Sequence, residues 1–496
     1  MKKTLFAAAA VFLWCGSALA EPQTVTLPAA DYQAIINQLK ALQGRVDALE
    51  HEKQSPSGKP ATAALPDSKL KKDVDSIYDT LDQVQTKTLK DKINLGAELR
   101  TRVDNFHVKD HQYFTTKTPM APGHQESNDN SWTNRFRLNM DAELLKNLKF
   151  TGRLTAYKDF SDSASPNPDV IGDSNSSHLP DGSNVKLDRA YIDWVPEGLS
   201  VPLAITFGRH PSSEGPPNEI KENRKRQSTY PSLLFDGEAD GVVATLGLER
   251  YIGWKDSGLR FAWGKAYQDS DTVNAYLDSP GGLDDTNVFA TFFETQLPGV
   301  DDSLLVLSAL KAKDLAANFT NLFNDQNAKA NLGDIDLYGI HLQAMKIMKS
   351  NFDAFLSLGL DRTHPNGQTI PSPLGPVGLL DNDGSSSHSG WAVYTGLAYT
   401  IPYVPFNNPK VGFEFNYGSE YWFSFTSGST ELYNKLAIRG DVYDLYYIQP
   451  FNEYLFARIG YTFAKYSHGL SGFQIGDPGA SSEELRNAYM LMDCRF

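Results

Sequence analysis

From Ile93 onward, apolar and polar residues alternate with a period of two. Ile93, Leu95, Ala97, Leu99, Thr101 and Val103 interleave with Asn94, Gly96, Glu98, Arg100, Arg102 and Asp104. Phe136, Leu138, Met140, Ala142 and Leu144 alternate with Arg135, Arg137, Asn139, Asp141 and Glu143. Near the end, Leu455, Ala457, Ile459, Tyr461 and Phe463 alternate with Phe456, Arg458, Gly460 and Thr462. This period predicts strands with one apolar and one polar face. About sixteen such runs occur, each close to the roughly 9–11 residues that carry a strand across a membrane. The first eight are expected near 92–105, 132–145, 149–159, 184–195, 201–209, 239–249, 258–267 and 287–296. The second eight are expected near 303–312, 334–346, 351–362, 390–400, 409–418, 434–448, 453–465 and 487–496.

The connections are unequal. Those after odd runs are long: 106–131, 160–183, 210–238, 268–286, 313–332, 363–389, 419–433 and 466–486. Those after even runs are short, as at 146–148, 196–200, 297–302, 347–350 and 449–452. Short periplasmic turns opposite long extracellular loops are the habit of outer-membrane barrels. The expected fold class is therefore all-β, a transmembrane antiparallel barrel of about sixteen strands over residues 91–496, with both chain ends in the periplasm. Aromatics gather at strand ends, with Trp132 and Trp391 on the loop side and Trp194, Trp254, Tyr399 and Tyr403 on the turn side. Girdles at both interfaces of a membrane have this arrangement.

Before residue 91 the period is helical. Tyr32, Ile35, Leu39, Leu42, Val46 and Leu49 follow the alternating three- and four-residue steps of a coiled-coil seam. A second seam comprises Leu70, Val74, Ile77, Leu81, Val84 and Thr88. Residues 21–53 are thus expected as a coiled-coil helix, 54–67 as a Pro-rich linker and 68–90 as a second amphipathic helix. These helices either hold subunits together or pack on each other or on the barrel. Residues 1–20 read as a signal peptide: Lys2 and Lys3, an apolar run from Leu5 to Trp14, then Ala18-Leu19-Ala20.

Composition sharpens the class. Apolar residues are 41% of 496 and charged residues only 21%, with 23 Tyr and 27 Phe, too many large side chains for a disordered chain. The formal charge is −14, and the exported chain is two charges more negative, which argues against nucleic acid as a partner. Of two cysteines, Cys15 lies in the leader, so Cys494 has no internal disulfide partner. No H-E-x-x-H, C-x-x-C-H or G-x-S-x-G motif is present, and no enzymatic activity, cofactor or metal is expected. Asp381-Asn382-Asp383-Gly384 begins like a calcium loop but lacks the closing acid, and reads as a solvated turn.

The chemistry left to the chain lies on the polar strand faces. With apolar residues toward lipid, Arg100, Arg102, Arg135, Arg137, Arg153 and Arg189 point inward from runs one to four. Arg439, Arg458 and Arg495 do so from runs fourteen to sixteen. Closure of run sixteen on run one joins them into one basic sector, shared by Glu98, Asp104, Asp141, Glu143, Asp441 and Asp493. Two readings stand side by side. Arginine–carboxylate pairs brace the wall, or a guanidinium ladder guides anions through a pore.

The C-terminal run from Ala488 to Phe496 resembles the signature of proteins inserted by the barrel-assembly machinery, with Phe496 as its terminal aromatic. A coiled-coil segment before a sixteen-strand barrel resembles general bacterial porins, in layout the phosphate-selective group above all. The segments VKLDRAYIDWVP, FGRHPSSEGPP, QSTYPSLLFDGEADGVVATLG and YNKLAIRGDVYDLYYIQPFN are similar to an uncharacterised porin-like outer-membrane family of proteobacteria. The resemblance implies a bacterial outer-membrane homotrimer with its N-terminal segment in the periplasm. It also implies that the third long connection, with Lys221, Arg224, Lys225 and Arg226 against Glu214, Glu219 and Glu222, folds inward as a constriction. The expected function is a passive channel for small hydrophilic solutes, with a mild anion preference. The alternative is a structural sheath around a separate redox partner such as a multihaem cytochrome.

Overall fold

The computed structural model describes residues 93–111, 123–159, 185–269, 277, 282–373, 375–428 and 431–496. The expected leader, both amphipathic helices and their linker lie outside the described residues. Sixteen strands close into one antiparallel barrel in chain order. The first eight are β1 (Ile93–Lys109), β2 (Gln125–Leu145), β3 (Leu148–Asp159), β4 (Val185–Trp194), β5 (Leu203–His210), β6 (Ala239–Gly247), β7 (Gly258–Tyr267) and β8 (Thr286–Thr295). The rest are β9 (Ser303–Lys313), β10 (Gly333–Ala344), β11 (Phe352–Pro365), β12 (Ser389–Thr400), β13 (Lys410–Gly418), β14 (Gly440–Pro450), β15 (Leu455–Tyr466) and β16 (Glu484–Arg495). The last pairs with the first, from Glu98 opposite Arg495 to Lys109 opposite Glu484. Closure leaves no barrel strand with an edge of unpaired amides.

The unequal connections hold at both ends of the barrel. Only residues 146–147 separate β2 from β3, and 451–454 separate β14 from β15, whereas 211–238 join β5 to β6. Two boundaries differ from expectation. β1 and β2 have 17 and 21 residues, so this hairpin rises well above the length a membrane requires. The run expected from 434 starts instead at Gly440, because Lys435–Ala437 form a short 3₁₀ turn. Gly440 has φ of 151°, and a Cβ there would lie 2.1 Å from the Lys465 carbonyl oxygen. The strand therefore starts at Gly440, with Val442 and Asp444 on its inward face.

Outward positions expose large apolar side chains around the whole circumference, among them Leu99, Phe136, Phe207, Phe261, Phe289, Leu307, Ile340, Leu358, Leu397, Phe413, Leu445 and Ile459. Trp194, Trp254, Trp391 and Tyr403 are exposed beside this belt. A continuous apolar belt of this extent is foreign to monomers that live in water.

Inward positions divide the interior in two. Val306, Leu310 and Ala312 on β9, Ile335 and Leu337 on β10, and Phe355 on β11 are buried against Ile220, Tyr230, Leu233 and Leu234 of the β5–β6 loop. The core continues through Trp422, Phe423 and Leu436 of the β13–β14 loop. Glycines admit the two loops: a Cβ on Gly339 would lie 2.0 Å from a Leu234 methyl, and one on Gly359 2.5 Å from the Trp422 ring. The opposite half, from β14 through β16 to β4, carries the buried charges, beside two smaller apolar clusters around Val442 and Ile448.

Candidate functional site

The charged half of the interior is built by strand alternation. Glu98, Arg100, Arg102 and Asp104 on β1, and Arg135 and Arg137 on β2, are all buried inside the wall. Arg153 on β3, Arg458 on β15 and Asp493 on β16 join them, with Arg495 less deeply buried at the strand end. On β4 the pairing slips between Arg153 and Leu154, which face Arg189 and Leu187. Asp188 is the extra residue of that bulge, and both it and Arg189 are buried. A bulge leaves no trace in the alternation, so Asp188 escapes a reading based on period alone.

Register creates an electrostatic problem. Arg100 lies directly opposite Arg135, and Arg153 opposite Arg189. Like charges at facing positions destabilise a strand pair. The β5–β6 loop supplies the missing anions. Glu214 accepts from Arg137 at 2.6 Å and Arg153 at 3.3 Å, and bonds to Arg224 of its own loop. Arg135 and Arg189 approach it to 3.5 and 4.0 Å. Glu222 pairs with Arg100, with Arg458 at 2.9 Å and with Arg495 at 3.1 Å. From the β13–β14 loop, Glu431 accepts from Arg102 at 2.7 Å and also pairs with Lys221.

Asp444 of β14 extends this network. It bonds Lys221 and, at 2.9 Å, Lys435, which also pairs with Glu414. Among the described residues the connected network holds eleven cations and nine carboxylates, a surplus of two positive charges. Burial alone would raise the pKa of Glu214, but Arg137, Arg224, Arg153 and Arg135 outweigh it and hold the carboxyl well below its ordinary value of 4.5. Glu222 and Glu431 are also held well below that value: burial opposes ionisation, but Arg100 and Arg458 prevail for Glu222, and Lys221 and Arg102 for Glu431. The loops are therefore fastened as anions.

The two loops are also tied to each other. Phe235–Asp236 pairs in parallel with Phe425–Thr426, and the Phe425 amide donates to the Leu234 carbonyl at 3.1 Å.

The remaining expected residues fall elsewhere. Arg439 is buried, but outside the ion-paired network. Its guanidinium donates to the carbonyls of Trp422, Gly469, Leu470 and Phe473 at 2.9–3.0 Å and binds loops together. Asp441 corrects the expectation of an inward acid: Val442 and Asp444 are the buried positions of β14, so Asp441 faces outward. Asp141 is inward but partly exposed, and pairs with Lys149 at 3.1 Å. In the loop, Lys221 is buried, Arg224 also bonds Glu98 at 3.1 Å, Arg226 reaches Glu294 at 3.4 Å, and Lys225 is exposed. Phe496 is exposed and exchanges backbone hydrogen bonds with Ala97. Asp381 accepts from the amides of Gly384 and Ser386, closing the turn at 381–384 on itself. Among the described residues no group of three or more His, Cys, Asp or Glu side chains is arranged to hold a metal ion.

The molecule is thus a closed sixteen-strand antiparallel β-barrel with a loop folded inside between its fifth and sixth strands. The chain belongs to the family described as protein of unknown function DUF3373, whose match spans residues 125–494. No curated protein matches it. Among solved structures it is similar to Pseudomonas putida OprB at high pH, with 12% identity and a TM-score of 0.46, over 83% of this chain and 96% of that one. It is also similar to Salmonella typhi OmpF in complex with daunomycin, with 10% identity and a TM-score of 0.42, over 82% of this chain and 97% of that one.

Proposed function

We propose that the protein is an outer-membrane channel for small hydrophilic solutes with a preference for anions, narrowed by loops 211–238 and 419–439. The carrying observation is the ion-paired network. The wall presents a sector of buried arginines, and the loop that neutralises them stands across the lumen. A surplus of cations lining a narrow passage favours anions, because buried charges are little screened by salt. The apolar belt supports a place in the bilayer, and the unequal connections support long loops outside the cell.

The same reading puts residues 1–20 as an export signal, 21–53 and 68–90 as periplasmic helices, and the assembly as a homotrimer inserted by the barrel-assembly machinery with Phe496 as its signal. The inward loops and their apolar core support a narrowed channel over a sheath around a separate redox partner such as a cytochrome. The test is a planar-bilayer recording of the purified protein in a potassium chloride gradient. A small unitary conductance with a reversal potential on the chloride side is expected. A cation-side potential, or membranes that never conduct, would overturn the reading.

A further inference from the structure

The arginines around Glu214 outnumber what this carboxylate and its neighbours neutralise. Arg135, Arg137, Arg153 and Arg189 of the wall and Arg224 of the loop meet three carboxylates: Glu214, Asp188 and Glu98. Asp493 comes within 3.7 Å of Arg135, but its close partners are Arg100 at 2.6 Å and Arg495 at 2.5 Å. The network's two surplus charges are concentrated here. The Nε and Nη2 atoms of Arg135, and the Nε atoms of Arg137 and Arg189, are buried with no hydrogen-bond partner among the described residues. Buried guanidinium donors without acceptors are costly, and a satisfied version of this cluster needs more acceptor oxygens than Glu214 offers.

Glu214 itself is held in a demanding pose. Its φ of 61° lies in the left-handed region that side chains disfavour, and its amide donates to the Asp236 carboxylate at 2.7 Å. The loop thus places one carboxylate among four wall arginines, at the cost of a strained residue.

We propose that Glu214 is the internal occupant of an oxyanion site formed by Arg135, Arg137, Arg153 and Arg189, which a solute carrying several negative oxygens, a polycarboxylate or a phosphate, takes over as the loop withdraws. The inference rests on the channel reading and names its solute class. A tethered carboxylate competes at high effective concentration, so it lowers the apparent affinity for the solute. It also keeps the arginines paired when no solute is present.

The experiment is calorimetric titration of the detergent-solubilised, full-length barrel with citrate and with inorganic phosphate in separate arms, and with chloride as the control. Glu214→Gln keeps the side chain's shape and removes the competitor. It should bind citrate or phosphate at least tenfold more tightly than the wild type, with no gain for chloride. Glu214→Asp, whose carboxylate is drawn back by one methylene, should fall between the two. The stronger arm identifies the source of the oxyanion. Equal affinities in all three proteins would overturn the proposal. So would failure of both variants to reach a heat-modifiable barrel, since Glu214 would then be a brace. Because binding is read without conduction, a protein that binds but never conducts would contradict the channel and leave the site.

Discussion

Glu222 shows how much one side chain of this interior carries. It is 1% exposed and faces Arg100, Arg458 and Arg495. Removing one partner of a buried ion pair leaves an uncompensated charge, at a cost of about 3–5 kcal/mol. Glu222→Ala should therefore lower the thermal stability of the solubilised barrel by that order, and a change within error would mean that the loop is not fastened there. Acid should act in the same direction. The pKa values of Glu214, Glu222 and Glu431 are depressed, so their stabilisation is complete above the unfolded value near 4.5 and is lost as pH falls through the lower folded values. Melting temperature should be flat from pH 7 to about 5 and decline only in stronger acid; a decline that begins near neutrality would contradict this. The wall arginines were legible because alternation puts Arg100, Arg135, Arg153 and Arg458 on one face. Their partners were less so. Asp188 depends on a bulge, and Glu431 sits in a loop, where no periodicity says which way a side chain points.

At the scale of elements, the strands were legible almost throughout, since a period of two sustained over ten residues suits a half-buried strand and not a helix. β14 is the instructive miss. The apolar residues Leu436 and Ile438 continue an apparent alternation backward from Val442, but Leu436 and Ile438 are buried in the inward loop and the strand starts only at Gly440. The dry core on β9–β12 was also hidden. Its apolar inward residues give those strands two apolar faces, which a polar-lumen barrel does not require. Gly359 marks the fit of the β13–β14 loop to this core, for Trp422 occupies the place of its side chain, and the Trp422 indole donates to the Leu436 carbonyl at 2.9 Å. Gly359→Val should displace Trp422 and cost about 1–3 kcal/mol by overpacking. Increased cleavage of residues 419–439 by added protease would report it, and unchanged protection would show that the loop does not depend on this seat.

For the whole molecule, the net charge of −14 and the cation surplus inside are compatible because they describe different places. On the proposed channel reading, a solute reaches these arginines at the loop that pairs with them. In the proposed channel the same arginines hold the loop in the lumen and set ion preference. Arg135 and Arg153 contact Glu214 from neighbouring strands, so reversing both charges replaces two of its five cationic partners with acids that repel it. The most direct measurement is single-channel recording of Arg135→Glu/Arg153→Glu, with insertion verified by heat modifiability, in a potassium chloride gradient. A larger unitary conductance than the wild type and a reversal potential moved toward cations, most strongly at low salt, are expected. An inserted double variant with unchanged conductance and unchanged ion preference would contradict this.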